Sequence, residues 1–478
     1  MKKGKIMKNI ETVASLKESG YAERPVKREI AFNLLTKLKK KEKIFQGIHG
    51  YEETVIPQLV NAILAGHNIA LLGEKGQAKS RIMRSLTDLL DEYIPVLRDT
   101  EIPESPFHPI TGKAKEILWR EGDNAGIKWI HRSERYGERL APGAKIADII
   151  GDIDPSKIIG GEALSSEGAI FFGILPKMNR GIFAVNELPD LDYLVQVSLF
   201  NILEENDIQI RGIPIRFELD VMVCFTANPE DYARSGKIIS QLKDRIGSEI
   251  RTHYPKNRET GKQITRQEAR FPVSEPEVFI PPFVEDVLEE LTVQARSSSY
   301  VNQKSGVSAR LSIANYEIAV SSARVRAIVM GQEKGVVRIT DLGNIFASSS
   351  GKIELDPYRD DSVNEYQVLL KLLDAALKTV FEEYYPMKKY SHSFEDIAKQ
   401  VYSLNRLEIS DQMPYSEYRN ILKSVPAIWD LLHEKGFDSD EGMFAAGIEF
   451  ILEGLTVNQK LSRRRLGEIS SFKSVDVY

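Results

Sequence analysis

The sequence has few of the residues that build disulfides and metal clusters. Its 478 residues include a single cysteine, Cys224, which excludes an internal disulfide, fits a reducing compartment and predicts a small buried side chain. The seven histidines include no pair with the spacing of metal ligands, so a transition-metal site is not expected. No run approaches the roughly 18 apolar residues of a membrane span, and the lysine-rich first residues lack the apolar stretch of a secretion signal. These absences predict a cytoplasmic protein.

An excess of either charge is also missing. The 64 lysines and arginines against 69 aspartates and glutamates give a formal charge of −5, which provides no strong field for nucleic acid or a membrane surface. The dense basic groups at residues 37–43 and 463–465 are interpreted as solvated helix surface, and nucleic acid is an unlikely partner. With 28% charged and 42% hydrophobic residues, the chain is typical of globular proteins, and its length predicts about three domains.

What the sequence does contain is a loop suited to phosphate, at residues 67–80, HNIALLGEKGQAKS. An apolar strand at 69–72 leads into a loop of small residues, and a helix is predicted over 80–93. In the pattern G-x-x-x-x-G-K-[ST], loop N–H groups surround a phosphate, the lysine reaches the outer phosphates and the hydroxyl holds Mg²⁺. Ala78 stands where the pattern has its second glycine, which is acceptable if that residue is already helical.

Further strand patterns follow this loop and alternate with helices. They predict a parallel sheet covered on both faces, with a hairpin at 207–217 turning at Gly212. The strand signals after the first lie at 94–97, 181–191, 220–227 and 248–253. Residues 100–180 are rich in proline and glycine and are predicted to be functional insertions, and beyond residue 270 helices dominate.

Polar residues at the ends of these strands are candidates for chemistry on a nucleotide, which needs a metal, a group that orients water, and positive charge. Glu187 ends a strand and can polarise a water, and Asn186 before it can bind a metal-bound water without charge. Asn228 follows the next strand, where it either contacts the γ-phosphate or starts a turn. Arg245 and Arg310 are candidates for phosphate contacts, with exposed surface arginines as the alternative.

Taken together, the segments at 73–80, 181–187, 225–229 and 242–245 resemble an AAA+ ATPase. Supporting phrases at 150–155, 173–181, 186–191 and 203–210 are similar to the MoxR and magnesium-chelatase ATPase-subunit branch of that superfamily. The resemblance covers roughly residues 50–350. It implies an α/β fold with a five-stranded parallel sheet, followed by a helical lid. The helical patterns after about residue 353 predict a further C-terminal helical domain.

The resemblance also implies residue roles, with ATP and Mg²⁺ as cofactors. The Walker A loop would comprise Gly73, Glu74, Lys75, Gly76, Gln77, Ala78, Lys79, Ser80 and Arg81. Asn186 and Glu187 stand at Walker B, Asn228 at sensor 1, Arg245 at the arginine finger acting in a neighbouring subunit, and Arg310 at sensor 2. Ser80 and Asn186 would face the metal. The predicted domains are 1–50, an N-terminal helical segment; 51–270, the nucleotide-binding core with insertions at about 100–180; 271–352, the helical lid; and 353–478, the C-terminal helical domain.

Members of this branch form hexameric rings and remodel partner proteins, often ones with a von Willebrand factor A-type domain. The first hypothesis is therefore an ATP-hydrolysing ring motor acting on a protein partner. The alternative is a nucleotide-dependent scaffold or switch with very slow hydrolysis, because Asn186 lacks the charge of the usual aspartate. A DNA-directed AAA+ protein and a true magnesium-chelatase subunit are less favoured.

Overall fold

The computed structural model describes residues 10–138, 145–159, 167–210, 215–233, 238–303, 305–356, 364–466 and 469–475. The predicted turn at Gly212 and parts of the predicted insertion at 100–180 lie outside these ranges. The chain divides into two compact units, Met1–His253 and Tyr254–Tyr478. The finer predicted domain limits stay predictions.

The first unit is built around a parallel sheet of five strands, as predicted. The strands of this unit are β1 (Ile69–Leu72), β2 (Tyr93–Leu97), β3 (Ile127–His131), β4 (Tyr136–Gly137), β5 (Gly151–Ile153), β6 (Ile170–Phe172), β7 (Gly181–Val185), β8 (Asp207–Gln209), β9 (Arg216–Glu218), β10 (Val221–Ala227) and β11 (Ser248–Arg251). Five of them form the central sheet in the order β11-β1-β10-β7-β4, and every pairing is parallel. The carboxyl ends of these strands therefore meet at one edge.

Helices cover both faces of this sheet. The helices of the unit are α1 (Val13–Glu18), α2 (Val26–Lys39), α3 (Val55–Leu64), α4 (Lys79–Ser85), α5 (Gly112–Glu121), α6 (Ile146–Ile149), α7 (Pro155–Ile159), α8 (Ile174–Lys177), α9 (Tyr193–Ser198), α10 (Phe200–Glu204), α11 (Pro229–Ala233) and α12 (Ser240–Arg245). Of these, α1 and α5 pack in a separate apolar cluster with β2 and β3. Strand side chains alternate between two apolar clusters: Val223 and Phe225 belong to one, whereas Met222 and Cys224 belong to the other. The central strands β7 and β10 are apolar except for Thr226, because both of their faces are buried.

Two details of the first unit differ from the sequence prediction. The segment at 94–97 is a strand, but β2 pairs antiparallel with β3, with Ile94 opposite Ile130, and it stays outside the central sheet. The fifth place is taken by β4, whose two residues are too few to show any periodicity. The helix predicted over 80–93 is shorter, because α4 ends at Ser85 and a 3₁₀ turn, Leu86–Leu89, follows it.

The second unit is mostly helical, as predicted. Its helices are α13 (Arg258–Glu268), α14 (Pro282–Ser297), α15 (Arg310–Val329), α16 (Phe346–Ser349), α17 (Glu365–Tyr384), α18 (Ser391–Ser403), α19 (Tyr418–Ser424), α20 (Ile428–Glu434) and α21 (Glu441–Val457). Its strands are β12 (Glu277–Phe279), β13 (Lys334–Val336), β14 (Leu407–Ser410), β15 (Leu461–Leu466) and β16 (Ile469–Ser474). Across the described ranges, no helix is long and apolar enough to cross a membrane.

The interpretation of the basic group at 463–465 as solvated helix surface is wrong. These residues lie on β15, an edge strand of the antiparallel sheet β14-β16-β15. Arg463 pairs with the buried Glu453 at 2.5 Å, and Arg465 pairs with Asp411 at 2.6 Å. Two of the three arginines therefore have a structural partner, which removes most of the reason to read this group as a nucleic-acid contact.

Candidate nucleotide-binding site

The predicted phosphate loop joins β1 to α4 at the carboxyl edge of the central sheet. It runs from Gly73 to Ala78, and Lys79 is the first helical residue. Gly76 has a φ of 78°, which favours glycine. Gly73 has a different requirement, because a Cβ there would overlap the Thr252 hydroxyl and the Gln77 side chain. Both loop glycines are thus required by the local geometry.

Ala78 does not have the helical backbone that its presence was expected to require. Its φ of 57° and ψ of 17° place it in the left-handed region, immediately before α4. For a residue with a Cβ this conformation costs roughly 1–2 kcal/mol. Its carbonyl accepts the helical hydrogen bond from the Ile82 N–H at 2.9 Å, so the residue belongs to the start of the helix despite this cost. Local strain of this kind is typical of ligand-binding loops.

Hydrogen bonds from Tyr51 and Thr252, which no sequence pattern predicts, hold the loop at Gln77. The buried Gln77 side chain accepts a hydrogen bond of 2.7 Å from the Thr252 hydroxyl, at the end of β11. The Tyr51 hydroxyl lies 2.9 Å from the Gln77 carbonyl and 2.8 Å from the His253 carbonyl. Burial raises the pKa of Tyr51 to about 12, so it stays a hydrogen-bond donor. These contacts fix the far side of the loop.

Lys79 is buried and turned over the loop. Its ammonium donates to the Gly73 carbonyl, to the Glu74 carbonyl at 3.0 Å and to Asn228 Oδ1 at 3.4 Å. Burial lowers the pKa of Lys79, and the Glu187 and Glu74 carboxylates oppose that effect. The structure therefore brings together two predicted residues from different strand ends, the Walker A lysine position and the sensor 1 position.

Ser80 and Asn186 also meet, on the neighbouring side of the loop. The Ser80 hydroxyl donates to Asn186 Oδ1 at 3.1 Å, and the Thr226 hydroxyl approaches the same oxygen at 3.4 Å. The Asn186 amide donates in turn to Glu138 Oε1 at 3.0 Å. Hydroxyl, amide and carboxylate oxygens are the donor types that Mg²⁺ prefers, so the residues present fit that ion. No sequence pattern marks Glu138, which follows the two-residue strand β4.

Glu187 lies one residue beyond Asn186, at the turn that follows β7. Its φ of 53° and ψ of 62° are left-handed, and its N–H donates to the Thr226 hydroxyl at 3.0 Å. Burial raises the pKa of Glu187, while the Lys79 ammonium opposes the rise. A carboxylate with a raised pKa beside a phosphate loop is suited to polarising a water. The described residues contain no cluster of three or more His, Cys, Asp or Glu side chains that could hold a metal alone.

The structure gives each of the two predicted arginines contacts within its own unit. Arg245, the last residue of α12, is bound within its own chain: its guanidinium donates to Glu204 at 2.7 Å and to the Gln241 carbonyl at 2.9 Å. Arg310 belongs to the second unit, where it is the exposed first residue of α15 and its N–H donates to the Ser308 hydroxyl at 3.1 Å. The roles assigned to both residues stay predictions, as do those of Lys75 and Arg81.

The strand order, the loop after β1 and the polar residues after β7 and β10 define an AAA+-type P-loop nucleotide-binding fold. No protein-family profile matches the chain. Curated relatives do: it is 31% identical over 239 residues to the magnesium-chelatase subunit ChlI of Nostoc sp., which covers 48% of this chain and 60% of that protein. It is 27% identical over 317 residues to the chloroplastic subunit ChlI-2 of Arabidopsis thaliana, covering 63% and 72%.

Among solved structures, the chain is similar to a cryo-EM-based structure of the complex between magnesium-chelatase subunits BchI and BchD. The TM-score is 0.35 at 18% identity, covering 66% of this chain and 96% of that one. The match to the Nostoc relative spans about 60% of its length. The chain is therefore related to magnesium-chelatase ChlI subunits, and its resemblance to the magnesium-chelatase branch of the AAA+ ATPases is confirmed.

Proposed function

We propose that this chain binds and hydrolyses ATP at the loop from Gly73 to Ser80. One observation carries the proposal: Lys79 and Ser80 of this loop contact Asn228 and Asn186, which follow the neighbouring strands β10 and β7. Side chains of these types around a phosphate loop are the parts that phosphoryl transfer needs. In this proposal Lys79 binds the outer phosphates, Asn228 contacts the γ-phosphate or the attacking water, and Glu187 polarises that water.

Ser80 and Asn186 would hold Mg²⁺, since both oxygens lie on the same side of the loop. When bound, the ion would neutralise charge on the transferred phosphoryl group. Gly73, Gly76 and Ala78 shape the loop so that its backbone N–H groups surround the phosphates.

We also propose that the chain assembles into a ring and acts on a protein partner in the cytoplasm. The relatives are named as subunits of an enzyme, and their assembly suggests a protein partner here, with a von Willebrand factor A-type domain as the class that the resemblance favours. In a ring, Arg245 would exchange Glu204 for a phosphate bound to the neighbouring subunit. Unchanged turnover of an Arg245→Ala protein would contradict this role.

The second candidate function is a nucleotide-dependent switch with very slow hydrolysis. Asn186 favours it, because an amide at this position contributes no charge to the metal site. The two functions differ in turnover. An ATP turnover rate above about one per minute in the absence of a partner would exclude a pure switch. For comparison, typical enzymes turn over about 10 times per second.

The binding proposal is tested with Lys79→Ala and a fluorescent ATP analogue. Removing the buried ammonium that faces Glu74 and Asn228 is expected to weaken binding at least roughly 30-fold, or about 2 kcal/mol, as for a charge-assisted hydrogen bond to phosphate. Lys113→Ala, which removes an exposed lysine of α5, is the control and should bind like the unchanged protein. Equal affinity of all three proteins would refute the site.

A further inference from the structure

The polar chain that begins at Ser80 does not end at Asn186. Asn186 Nδ2 donates to Glu138 Oε1 at 3.0 Å, and its Oδ1 accepts from the Ser80 hydroxyl at 3.1 Å. Glu138 follows β4, which is the parallel neighbour of β7, with Tyr136 opposite Ile182. The carboxyl ends of two adjacent strands thus place a carboxylate directly behind the amide that faces the loop.

Glu138 is held in this place from a second direction. The Arg84 guanidinium donates to it through two nitrogens, one of them at 2.7 Å from Oε1. Arg84 lies four residues after Ser80 on α4, and therefore on the same helix face. The Glu138 side chain is 12% exposed, whereas that of Arg84 is 61% exposed. A solvated guanidinium orients a carboxylate but neutralises little of its charge, because exposed ion pairs are screened by water.

We propose that Glu138 supplies the negative charge that position 186 lacks, as an outer ligand of the divalent cation that enters with the nucleotide. This inference rests on the proposed ATP binding. Asn186 presents its oxygen towards Ser80 and its N–H₂ towards Glu138. Because the N–H₂ donates to a carboxylate, the amide oxygen on the side of the metal becomes more negative. Mg²⁺ keeps several of its waters when bound to proteins, and an outer carboxylate accepts hydrogen bonds from them.

A purely structural reading is that Glu138 only anchors Arg84. The two readings predict different results when the Glu138 carboxylate is removed and a carboxylate is placed at position 186 instead. If Glu138 serves the metal, an aspartate at position 186 makes it dispensable. If it serves Arg84, an aspartate at position 186 restores nothing, and loss of Arg84 has the same effect as loss of Glu138.

The experiment titrates Mg²⁺ against binding of a fluorescent, non-hydrolysable ATP analogue to the full chain, beginning in EDTA. Glu138→Gln should raise the Mg²⁺ concentration at half-effect roughly 10-fold, as for loss of an outer-shell metal partner, and leave affinity in EDTA unchanged. Adding Asn186→Asp to that variant should return the midpoint towards its original value. Arg84→Gln should shift the midpoint less than about twofold, in keeping with an exposed pair.

An unchanged midpoint in Glu138→Gln, or a double variant that is not restored, overturns the role of Glu138 while leaving ATP binding intact. If Arg84→Gln raises the Mg²⁺ midpoint as much as Glu138→Gln does, the role of Glu138 is overturned in favour of the structural reading. Absence of nucleotide binding by the unchanged protein refutes the proposed function itself. If Glu138→Gln fails to fold by circular dichroism, Glu138→Asp replaces it: withdrawing the carboxylate by one methylene should still raise the Mg²⁺ midpoint measurably, and an unchanged midpoint counts against the proposal.

Discussion

Two polar clusters of this chain look alike in their charges and differ in their surroundings. The site cluster is Lys79, Ser80, Asn186, Glu187 and Asn228, in the first unit. The network in the second unit is Arg326, Arg338, Asp341, Tyr418 and Glu449. Arg338 and Glu449 are 0% and 1% exposed and lie 3.3 Å apart. Burial and the Glu449 carboxylate act in the same direction on Tyr418, whose pKa is raised well above its usual value.

The difference lies in what each cluster binds. In the second unit, Arg338 donates to the Tyr418 hydroxyl at 2.6 Å and to the Met413 carbonyl at 3.1 Å, and the Thr340 N–H donates to Glu449 at 3.0 Å. These partners are permanent parts of one packed core. In the site cluster, Lys79 reaches Asn228 at 3.4 Å, and Thr226, beside the cluster, reaches Asn186 at 3.4 Å; a ligand can compete with hydrogen bonds of this length. Perturbed pKa values alone therefore do not identify a functional site, whereas position at the carboxyl edge of a parallel sheet does.

The largest expected effect comes from breaking the network in the second unit. Arg338→Met leaves Glu449 buried without its guanidinium, which is expected to cost about 3–5 kcal/mol of folding free energy. Denaturant unfolding followed by circular dichroism measures the loss. Arg419→Met, which breaks the exposed pair with Glu441, is the control and should cost less than about 1 kcal/mol. Equal costs for the two substitutions would mean that the network is no more than surface charge.

The next effect concerns the site cluster and should leave stability nearly unchanged. Glu187→Gln removes the carboxylate that would polarise the attacking water, so turnover should fall at least roughly 100-fold, or about 3 kcal/mol, while ATP binding persists. Phosphate release and analogue binding are measured on the same preparation. Glu116→Gln, on the exposed face of α5, serves as the control. A variant that hydrolyses ATP at the original rate would remove Glu187 from catalysis.

The parts of the site that were predictable from the sequence are those written in consecutive residues. The apolar run of β1 followed by GEKGQAKS locates Lys79 and Ser80, and the apolar runs of β7 and β10 locate Asn186 and Asn228 at their ends. Because parallel strands end at a common edge, the meeting of these residues follows from the fold class.

The parts that were not predictable depend on contacts far apart in the chain. Glu138 reaches Asn186 across 48 positions, and Thr252 reaches Gln77 across 175. Neither residue sits in a local pattern, since β4 has only two residues and a threonine at a strand end has many uses. The pairing of β2 with β3 was missed for a related reason: periodicity indicates a strand but not its neighbour.

The smallest expected effect tests the backbone of Ala78, where a helical conformation was expected and a left-handed one is found. Ala78→Gly relieves roughly 1–2 kcal/mol of Cβ strain and adds about 0.4–1 kcal/mol of unfolded-state entropy, so the free energy of unfolding should rise by up to about 1.5 kcal/mol. Ala65→Gly, at a φ of −78° on the exposed end of α3, has no such strain to relieve and should lower stability. Thermal unfolding compares the two. If Ala78→Gly raises stability and Ala65→Gly lowers it, backbone strain is stored in the phosphate loop. If both substitutions lower stability equally, position 78 tolerates alanine without cost.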